Sequence, residues 1–237
     1  MTARRVGLLG GTFDPIHMGH LDLASAAQAA LALTRLLVIP ANVPPHRPRP
    51  HASSFHRFAM VALSVAGRNG WRASDVELRH EAPSYTATTL RRFRERGYLP
   101  SELYFLIGAD AFADIAAWRD YPHILDCAHF AVVSRPGCSV GDLQQRVPAL
   151  ADRMLVATTG FDPPARPSII LIDGATSDVS STAIRGRLAA GSSIVGLVDD
   201  RVRQHIDQHG LYRPPSPERR SVSRPGDSPA GRLHGQD

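Results

Sequence analysis

The segment VGLLGGTFDPIHMGHL near the N-terminus constrains the fold of this chain more than any other. A short apolar run at residues 6–9 leads into Gly10 and Gly11 and then to His17 and His20. The two histidines stand three residues apart, which is the spacing of neighbours on one helix face. We therefore predict a strand, a glycine turn and the start of a helix. At such a junction, unpaired amides and the positive end of the helix dipole favour a phosphate group.

Short apolar runs alternate with segments of helical pattern along most of the chain. This alternation is typical of a parallel sheet with helices on both faces, so we predict a doubly wound α/β fold in which ligands bind beyond the carboxyl ends of the strands. The predicted strands cover residues 6–9, 36–40, 71–78, 103–108, 129–137 and 168–173. The predicted helices cover residues 19–33, 54–66, 86–95, 179–188 and 199–209, with a further helical stretch around Trp118. One side of the second helix is predicted to carry Phe55, Phe58, Ala59, Ala62 and Leu63.

Length and composition bound the class of protein. The 237 residues fit a single domain, which we place at residues 1–213, followed by a tail rich in Pro, Ser and Arg at residues 214–237 that we predict to be disordered. No apolar run reaches the roughly 18 residues of a membrane span. Cys127 and Cys138 lack metal-ligand neighbours in the sequence, and a cytoplasmic protein is expected.

All 27 basic residues are arginines, and the net charge is +5. The absence of lysine excludes a Walker A loop, which requires its Lys. It also excludes the lysine-containing loop of class I aminoacyl-tRNA synthetases, whose first motif is similar to HMGH. A nucleotide- or RNA-binding protein stays open as an alternative because of the basic charge, although part of that charge lies in the tail.

A second segment suited to phosphate follows the last predicted strand. Ser180, Ser181 and Thr182 precede Arg185 by about one helical turn. Ser and Thr are good N-caps, so these residues could do no more than begin a helix. The same amides can also bind an anion, and Arg185 would then add a fixed cation. The two interpretations are compatible.

Together these segments resemble the two signatures of the HxGH nucleotidyltransferases. GGTFDPIHMGH is similar to the first signature, through His17, Gly19 and His20, and VSSTAIR is similar to the second. Within that superfamily, the segments PPHR, APSYTATTL, IGAD, SRPG and GLYR, together with Trp118, resemble the bacterial nicotinate mononucleotide adenylyltransferases. The resemblance covers residues 6–213 and implies a single Rossmann-like domain.

The resemblance implies transfer of AMP from ATP to nicotinate mononucleotide, with release of pyrophosphate, in NAD biosynthesis. It assigns His17, His20 and Arg185 to catalysis, as groups that hold the ATP phosphates and do not attack them. Asp14 is interpreted as a residue that stabilises the turn. The implied ATP-binding set also includes Gly10, Gly11, Ser180, Ser181 and Thr182.

The resemblance also implies an acceptor pocket. Trp118 would stack on the nicotinate ring while Thr86 and the amide of Arg119 hold its carboxylate; the alternative is that Trp118 is an ordinary core aromatic. PPHR carries Arg47 where many relatives have Lys, and it could equally be a mobile basic loop. The full set implied for nicotinate mononucleotide is Thr12, Phe13, His46, Arg47, Thr86, Asp110, Trp118 and Arg119.

The expected partners are ATP and nicotinate mononucleotide, without nucleic acid or membrane, and a homo-oligomer stays open as an alternative to a monomer. Mg²⁺ is expected to bind mainly through the ATP phosphates, as that ion commonly does, and no protein metal site is expected. The enzymatic alternative is another HxGH transferase, one that acts on pantetheine phosphate or forms a CDP-alcohol.

Overall fold

The computed structural model describes residues 4–45 and 48–214. His46, Arg47 and the tail from residue 215 onward lie outside the described residues, so what we predict for them stays a prediction. The described residues contain seven strands: β1 (Val6–Gly11), β2 (Arg35–Pro40), β3 (Trp71–Ala73), β4 (Leu103–Gly108), β5 (His129–Val133), β6 (Met154–Val156) and β7 (Ile169–Ile172). They form one parallel sheet in the order β3-β2-β1-β4-β5-β7-β6.

The helices of the described residues connect these strands. They are α1 (Met18–Leu31), α2 (Ser54–Val65), α3 (Thr86–Glu95), α4 (Ala109–Phe112), α5 (Leu143–Arg146), α6 (Ser181–Ala189) and α7 (Asp200–His209). Short 3₁₀ segments lie at Pro100–Glu102, Ile115–Ala117, His123–Asp126, Val140–Asp142 and Pro148–Arg153. Within residues 4–45 and 48–214, none of these helices has the length and apolar character to cross a membrane.

Each face of the sheet has its own apolar core. Alternate strand residues point to opposite faces, so Leu9 joins one core while Leu8 joins the other. The first core also takes buried residues of α1, α2, α6 and α7, and the second takes residues of α3 and α4. The predicted doubly wound α/β fold with helices on both faces is confirmed.

The strand order reverses at β1. β1 pairs with β2 on one side and with β4 on the other, so the chain winds outward from this point in both directions. Ligands of open parallel sheets bind in the crevice at such a switch point, outside the carboxyl ends of the strands. The segments that follow β1 and β4 therefore border the expected site.

Three predictions of local structure are wrong. The strand predicted at residues 129–137 ends at Val133, because the chain turns at Arg135, whose carbonyl accepts from the amide of Cys138. The strand predicted at residues 71–78 ends at Ala73, because the chain turns at Asp75, whose carbonyl accepts from the amides of Leu78 and Arg79. The helical stretch predicted around Trp118 is the short α4 and a 3₁₀ turn, with Trp118 just after that turn.

The buried side of α2 also differs from the prediction. Its fully buried residues are Arg57, Met60, Val61, Ser64 and Val65, whereas the expected Phe55 is 86% exposed and Phe58, Ala59, Ala62 and Leu63 are half-buried. The helix is rotated because the Arg57 side chain turns inward, where its guanidinium finds backbone acceptors.

Candidate active site

The chain passes from β1 to α1 through a tight connection. Gly10 and Gly11 are the last residues of β1, paired with Ile39 and Pro40, and the left-handed residue of the connection is Phe13, with φ of 51°. A glycine turn is predicted here from the sequence. The two glycines instead belong to the strand, and neither has a positive φ. Gly11 is required for another reason, since a Cβ there would lie 2.8 Å from the Phe13 ring.

His17 and His20 form a stacked pair at the start of α1. His17 is the N-cap residue, with extended backbone, and the two ring centroids are 3.7 Å apart. The amide of His17 donates to Nδ1 of His20 over 3.3 Å. In a neutral His20 this contact leaves Nε2 as the N–H donor.

The His17 side chain is buried and uncharged. It is 3% exposed, and burial, together with the nearby Arg135 cation, lowers its pKa to about 4, although Asp22 acts in the opposite direction. Among the described residues its Nδ1 has no hydrogen-bond partner. Neutral imidazole still offers one N–H, so His17 can donate a hydrogen bond to a phosphate oxygen near pH 7 without bringing a positive charge.

Arg135 is a candidate site residue that sequence reasoning missed. It follows β5 in the SRPG segment, and its Nη1 donates to the carbonyl of Gly19 over 3.3 Å. A Cβ on Gly19 would lie 2.9 Å from the backbone carbonyl oxygen of Ser177 and 2.8 Å from this guanidinium, and the backbone contact explains why glycine stands between the two histidines. The resemblance of the SRPG segment to the family was the signal that could have found it.

The second signature meets the first through the turn between β1 and α1. Ser180 is the N-cap of α6 and accepts from the amide of Ala183 over 3.1 Å. The hydroxyl of Ser181 donates to the carbonyl of Pro15 over 2.9 Å, and Arg185 Nη1 donates to the carbonyl of Asp14 over 2.8 Å. A second guanidinium nitrogen of Arg185 donates to the Thr182 hydroxyl over 3.3 Å. Both signatures thus share one framework.

The Asp14 carboxylate lies at the centre of that framework. It is 4% exposed and accepts from the amides of His51 and Ala52 over 2.8 and 3.0 Å. The hydroxyl of Tyr212, which stands after α7, donates to it over 2.8 Å. Burial and this carboxylate raise the pKa of Tyr212 far above its usual range. With three donors already bound, Asp14 has the stabilising place expected from the sequence.

The buried Arg57 side chain binds the backbone segments that follow β1 and β2. Its guanidinium, on a side chain that is 1% exposed, donates to the carbonyls of Thr12, Ala41 and Asn42 over 2.8, 2.6 and 3.3 Å. Burial lowers its pKa, and Asp14 opposes that effect. Nothing in local sequence marks this residue, because its three acceptors are backbone groups of two distant loops.

The segments expected to form the acceptor pocket also come together. Trp118 is half-buried, with its ring edge-on to Phe105 at a centroid distance of 6.0 Å. The Arg119 guanidinium lies 4.6 Å from the ring centroid of Tyr85, the residue that precedes Thr86 at the start of α3. Trp118 therefore has a packing contact, as its alternative interpretation requires, while part of its surface stays open to a ligand.

The remaining residues of the implied site have simpler surroundings. Asp110 is exposed in the first turn of α4, directly after β4, and makes no ion pair with the described residues. Thr12 and Phe13 lie in the connection after β1. His46 and Arg47 lie outside the described residues.

Comparison with known proteins identifies the family. The cytidylyltransferase-like family model matches residues 8–187, which include both signatures. A "probable nicotinate-nucleotide adenylyltransferase" of Roseiflexus sp. strain RS-1 is 41% identical over 215 residues, with 90% of this chain and all of the relative covered. The chain belongs to the nicotinate-nucleotide adenylyltransferase family. A nicotinate-nucleotide adenylyltransferase of Salmonella typhi is 38% identical over 208 residues, covering 87% of this chain and 97% of that protein.

A solved member of the adenylyltransferase group has the same fold. The nicotinic acid mononucleotide adenylyltransferase of Plasmodium falciparum, solved in complex with NaAD, superposes with a TM-score of 0.68 at 17% identity, covering 88% of this chain and 97% of that one. At this identity the likeness concerns the Rossmann-like architecture. The family membership expected from the sequence is confirmed by the curated relatives.

Proposed function

We propose that this protein transfers AMP from ATP to nicotinate mononucleotide, giving deamido-NAD and pyrophosphate. One observation carries the proposal: in a member of this family, Ser181 and Arg185 of the SSTAIR segment donate hydrogen bonds to Pro15 and Asp14, in the turn that leads to HMGH. Two stacked imidazoles and the Arg185 guanidinium are thereby held by one framework at the switch point of the sheet.

The reaction is a direct displacement at phosphorus. An oxygen of the mononucleotide's 5′-phosphate attacks the α-phosphorus of ATP, a new P–O bond forms, and the bond to the β-phosphate oxygen breaks as pyrophosphate leaves. Such chemistry depends mainly on positioning and on stabilising the charge of the transferring group. No side chain needs to form a covalent bond.

The side chains divide this work by charge. His17, neutral because of its burial, would donate a hydrogen bond to a phosphate oxygen. His20 would act beside it, while Arg185 would supply fixed positive charge to the departing phosphates. Gly10, Gly11 and the start of α6 would let the ATP phosphates approach the backbone, with Ser180, Ser181 and Thr182 around them.

The acceptor would lie at the start of α3. Trp118 would stack on the pyridine ring, and Thr86 with the amide of Arg119 would bind the carboxylate, which the positive end of the α3 dipole also favours. Asp110, Thr12 and Phe13 would contact the rest of the mononucleotide. His46 and Arg47 complete the proposed set and would bind its phosphate.

Mg²⁺ would enter as the complex with ATP. Among the described carboxylates close to the signatures, Asp14 already has three donors and Asp22 accepts from Ser177. This donor set fits an ion bound through phosphate oxygens. The reaction would run in the cytoplasm, where the thiols of Cys127 and Cys138 stay reduced, and without a nucleic-acid partner.

A panel of donors and acceptors tests this function. The full-length protein is incubated with MgATP or MgCTP and with nicotinate mononucleotide, pantetheine phosphate or choline phosphate, and pyrophosphate release is measured. We expect release with ATP and nicotinate mononucleotide. Release only with pantetheine phosphate, or only with CTP and the alcohol phosphate, would overturn the proposal in favour of another HxGH transferase.

A further inference from the structure

Three histidines meet at the contact between α2 and α7, away from both signatures. His56 lies near the start of α2, and His205 and His209 lie one turn apart on α7. The ring centroids of the three pairs are 5.3, 4.8 and 4.4 Å apart, and one ring nitrogen of each residue lies within 4.8 Å of the others. His56 and His205 are half-buried, while His209 is exposed.

The two helices hold these side chains in place. α7 packs antiparallel to α2. Arg201, at the start of α7, donates to the carbonyl of Ala66, just after the end of α2, over 2.8 Å. Positions four apart share one helix face, so His205 and His209 both point toward α2. The group is therefore built by rigid elements.

The spacing of the nitrogen atoms suits a tetrahedral metal ion. His56 Nδ1 and His205 Nε2 are 3.1 Å apart. Two imidazole nitrogens on one tetrahedral Zn²⁺, each with a Zn–N bond of about 2.0–2.1 Å, are separated by roughly 3.3–3.4 Å. The exposed His209 has the freedom to complete a set of three ligands and leave the fourth position to water.

The chemistry of the group favours a transition metal. Imidazole ligands suit Zn²⁺, Ni²⁺ and Cu²⁺, whereas Mg²⁺ and Ca²⁺ prefer oxygen. The negative end of the α7 dipole lies beside His209 and favours a cation there.

We propose that His56, His205 and His209 form a binding site for a divalent transition metal, of which Zn²⁺ is the best fit, that clamps α7 to α2. The site is distinct from the ATP and mononucleotide sites proposed above. Its place gives it a structural consequence, since α7 leads directly to Tyr212 and its hydrogen bond with Asp14.

Zn²⁺ binding to the full-length protein without an affinity tag tests the proposal. Calorimetric titration is expected to give one equivalent bound, and Co²⁺ is expected to show the visible absorption of a tetrahedral site. His209→Ala, an exposed substitution that leaves the fold intact, should weaken Zn²⁺ binding more than tenfold, as should His205→Ala. His123→Ala, at an exposed histidine outside the group, should bind Zn²⁺ like the unsubstituted protein.

Melting curves with EDTA and with Zn²⁺ separate a metal clamp from a hydrogen bond between imidazoles. A metal clamp predicts that Zn²⁺ raises the Tm of the unsubstituted protein and leaves that of His209→Ala unchanged. Absence of stoichiometric Zn²⁺ binding would overturn the proposal. Unchanged Zn²⁺ affinity of the double variant with His205→Ala and His209→Ala would also overturn it. Binding that disappears with Cys127→Ser would also overturn it, because the thiol would then be the ligand.

Discussion

The hydroxyl of Tyr212 donates a 2.8 Å hydrogen bond to the buried carboxylate of Asp14, which joins the end of the described chain to the turn that begins the first helix. The backbone carbonyl of the same Asp14 accepts a hydrogen bond from the Arg185 guanidinium. The position of Arg185, from the second signature, is therefore coupled to the last residues of the domain.

Tyr212→Phe tests this coupling. Loss of a hydrogen bond to a charged buried group should lower the free energy of unfolding by about 1.5–3 kcal/mol, measured by urea denaturation at pH 7.5. Tyr98→Phe is the matched control, because the contacts of Tyr98 with Arg4 and Phe93 are made by its ring. Equal effects of the two substitutions would contradict the importance of the Asp14 contact.

His20→Ala tests the stabilisation of the transferring phosphate. Removal of one preorganised donor should lower kcat by a factor on the order of 10²–10³, as measured by steady-state kinetics. Loss of the acceptor for the His17 amide should lower the free energy of unfolding by only about 1 kcal/mol, as measured by denaturation. His123→Ala should keep full activity. Near-normal turnover of His20→Ala would show that this imidazole does not contact the reacting phosphate.

Trp118→Ala tests the acceptor pocket. Loss of ring stacking should raise the KM for nicotinate mononucleotide by about tenfold and leave the KM for ATP nearly unchanged. Trp71→Phe, on β3, serves as the control for a tryptophan outside the pocket. An equal rise of both KM values would support the alternative, in which Trp118 only packs against Phe105.

Arg57→Met tests the buried guanidinium. Three carbonyls would lose their donor, so the free energy of unfolding should fall by about 2–4 kcal/mol. Arg94→Met, at an exposed position of α3, should change it by less than about 0.5 kcal/mol. A loss no larger than that of the control would mean that water replaces the guanidinium at no cost.

The pH dependence of stability follows from two buried histidines. Burial, with Arg135 near His17 and Arg5 near His129, lowers the pKa of each from 6.5 to about 4. Between pH 6.5 and 4 the unfolded chain binds more protons than the folded one. The two histidines therefore make their full contribution to the free energy of unfolding above pH 6.5, and this contribution is lost as the pH falls toward 4. The free energy of unfolding should decrease by about 2 kcal/mol per histidine from pH 7.5 to 5.

His129→Phe should remove one of these two contributions. Denaturation curves at pH 7.5 and 5 measure the change, with His123→Ala as the control that keeps the full dependence. A pH dependence unaltered by His129→Phe would mean that His129 is protonated in the folded protein.

Sequence patterns predicted most of the strands and helices. α3 at residues 86–95 and β4 at residues 103–108 have the predicted bounds, because an amphipathic period and a continuous apolar run each signal one structure. β6 was missed because it has three residues, of which Leu155 and Val156 are exposed, and its pairing with β7 is set by tertiary structure. The predicted buried side of α2 was wrong because hydropathy places an arginine such as Arg57 in solvent, whereas its side chain is buried.

The same distinction applies to the candidate site. The residues of each signature are contiguous, so their spacing was visible in the sequence. Arg57, Arg135 and Tyr212 reach the signatures through contacts that span 45, 116 and 198 positions, and no local pattern records them. The histidine group joins His56 to His205 across 149 positions in the same way.

The most direct test of the proposed function is a competition between two acceptors. The protein is given MgATP with equal amounts of nicotinate and nicotinamide mononucleotide, and the dinucleotide products are quantified by mass spectrometry. Binding of the carboxylate near Thr86 and Arg119 predicts that deamido-NAD forms in large excess over NAD. Equal amounts of the two products, or NAD in excess, would contradict the proposed pocket, and the absence of any dinucleotide would contradict adenylyl transfer itself.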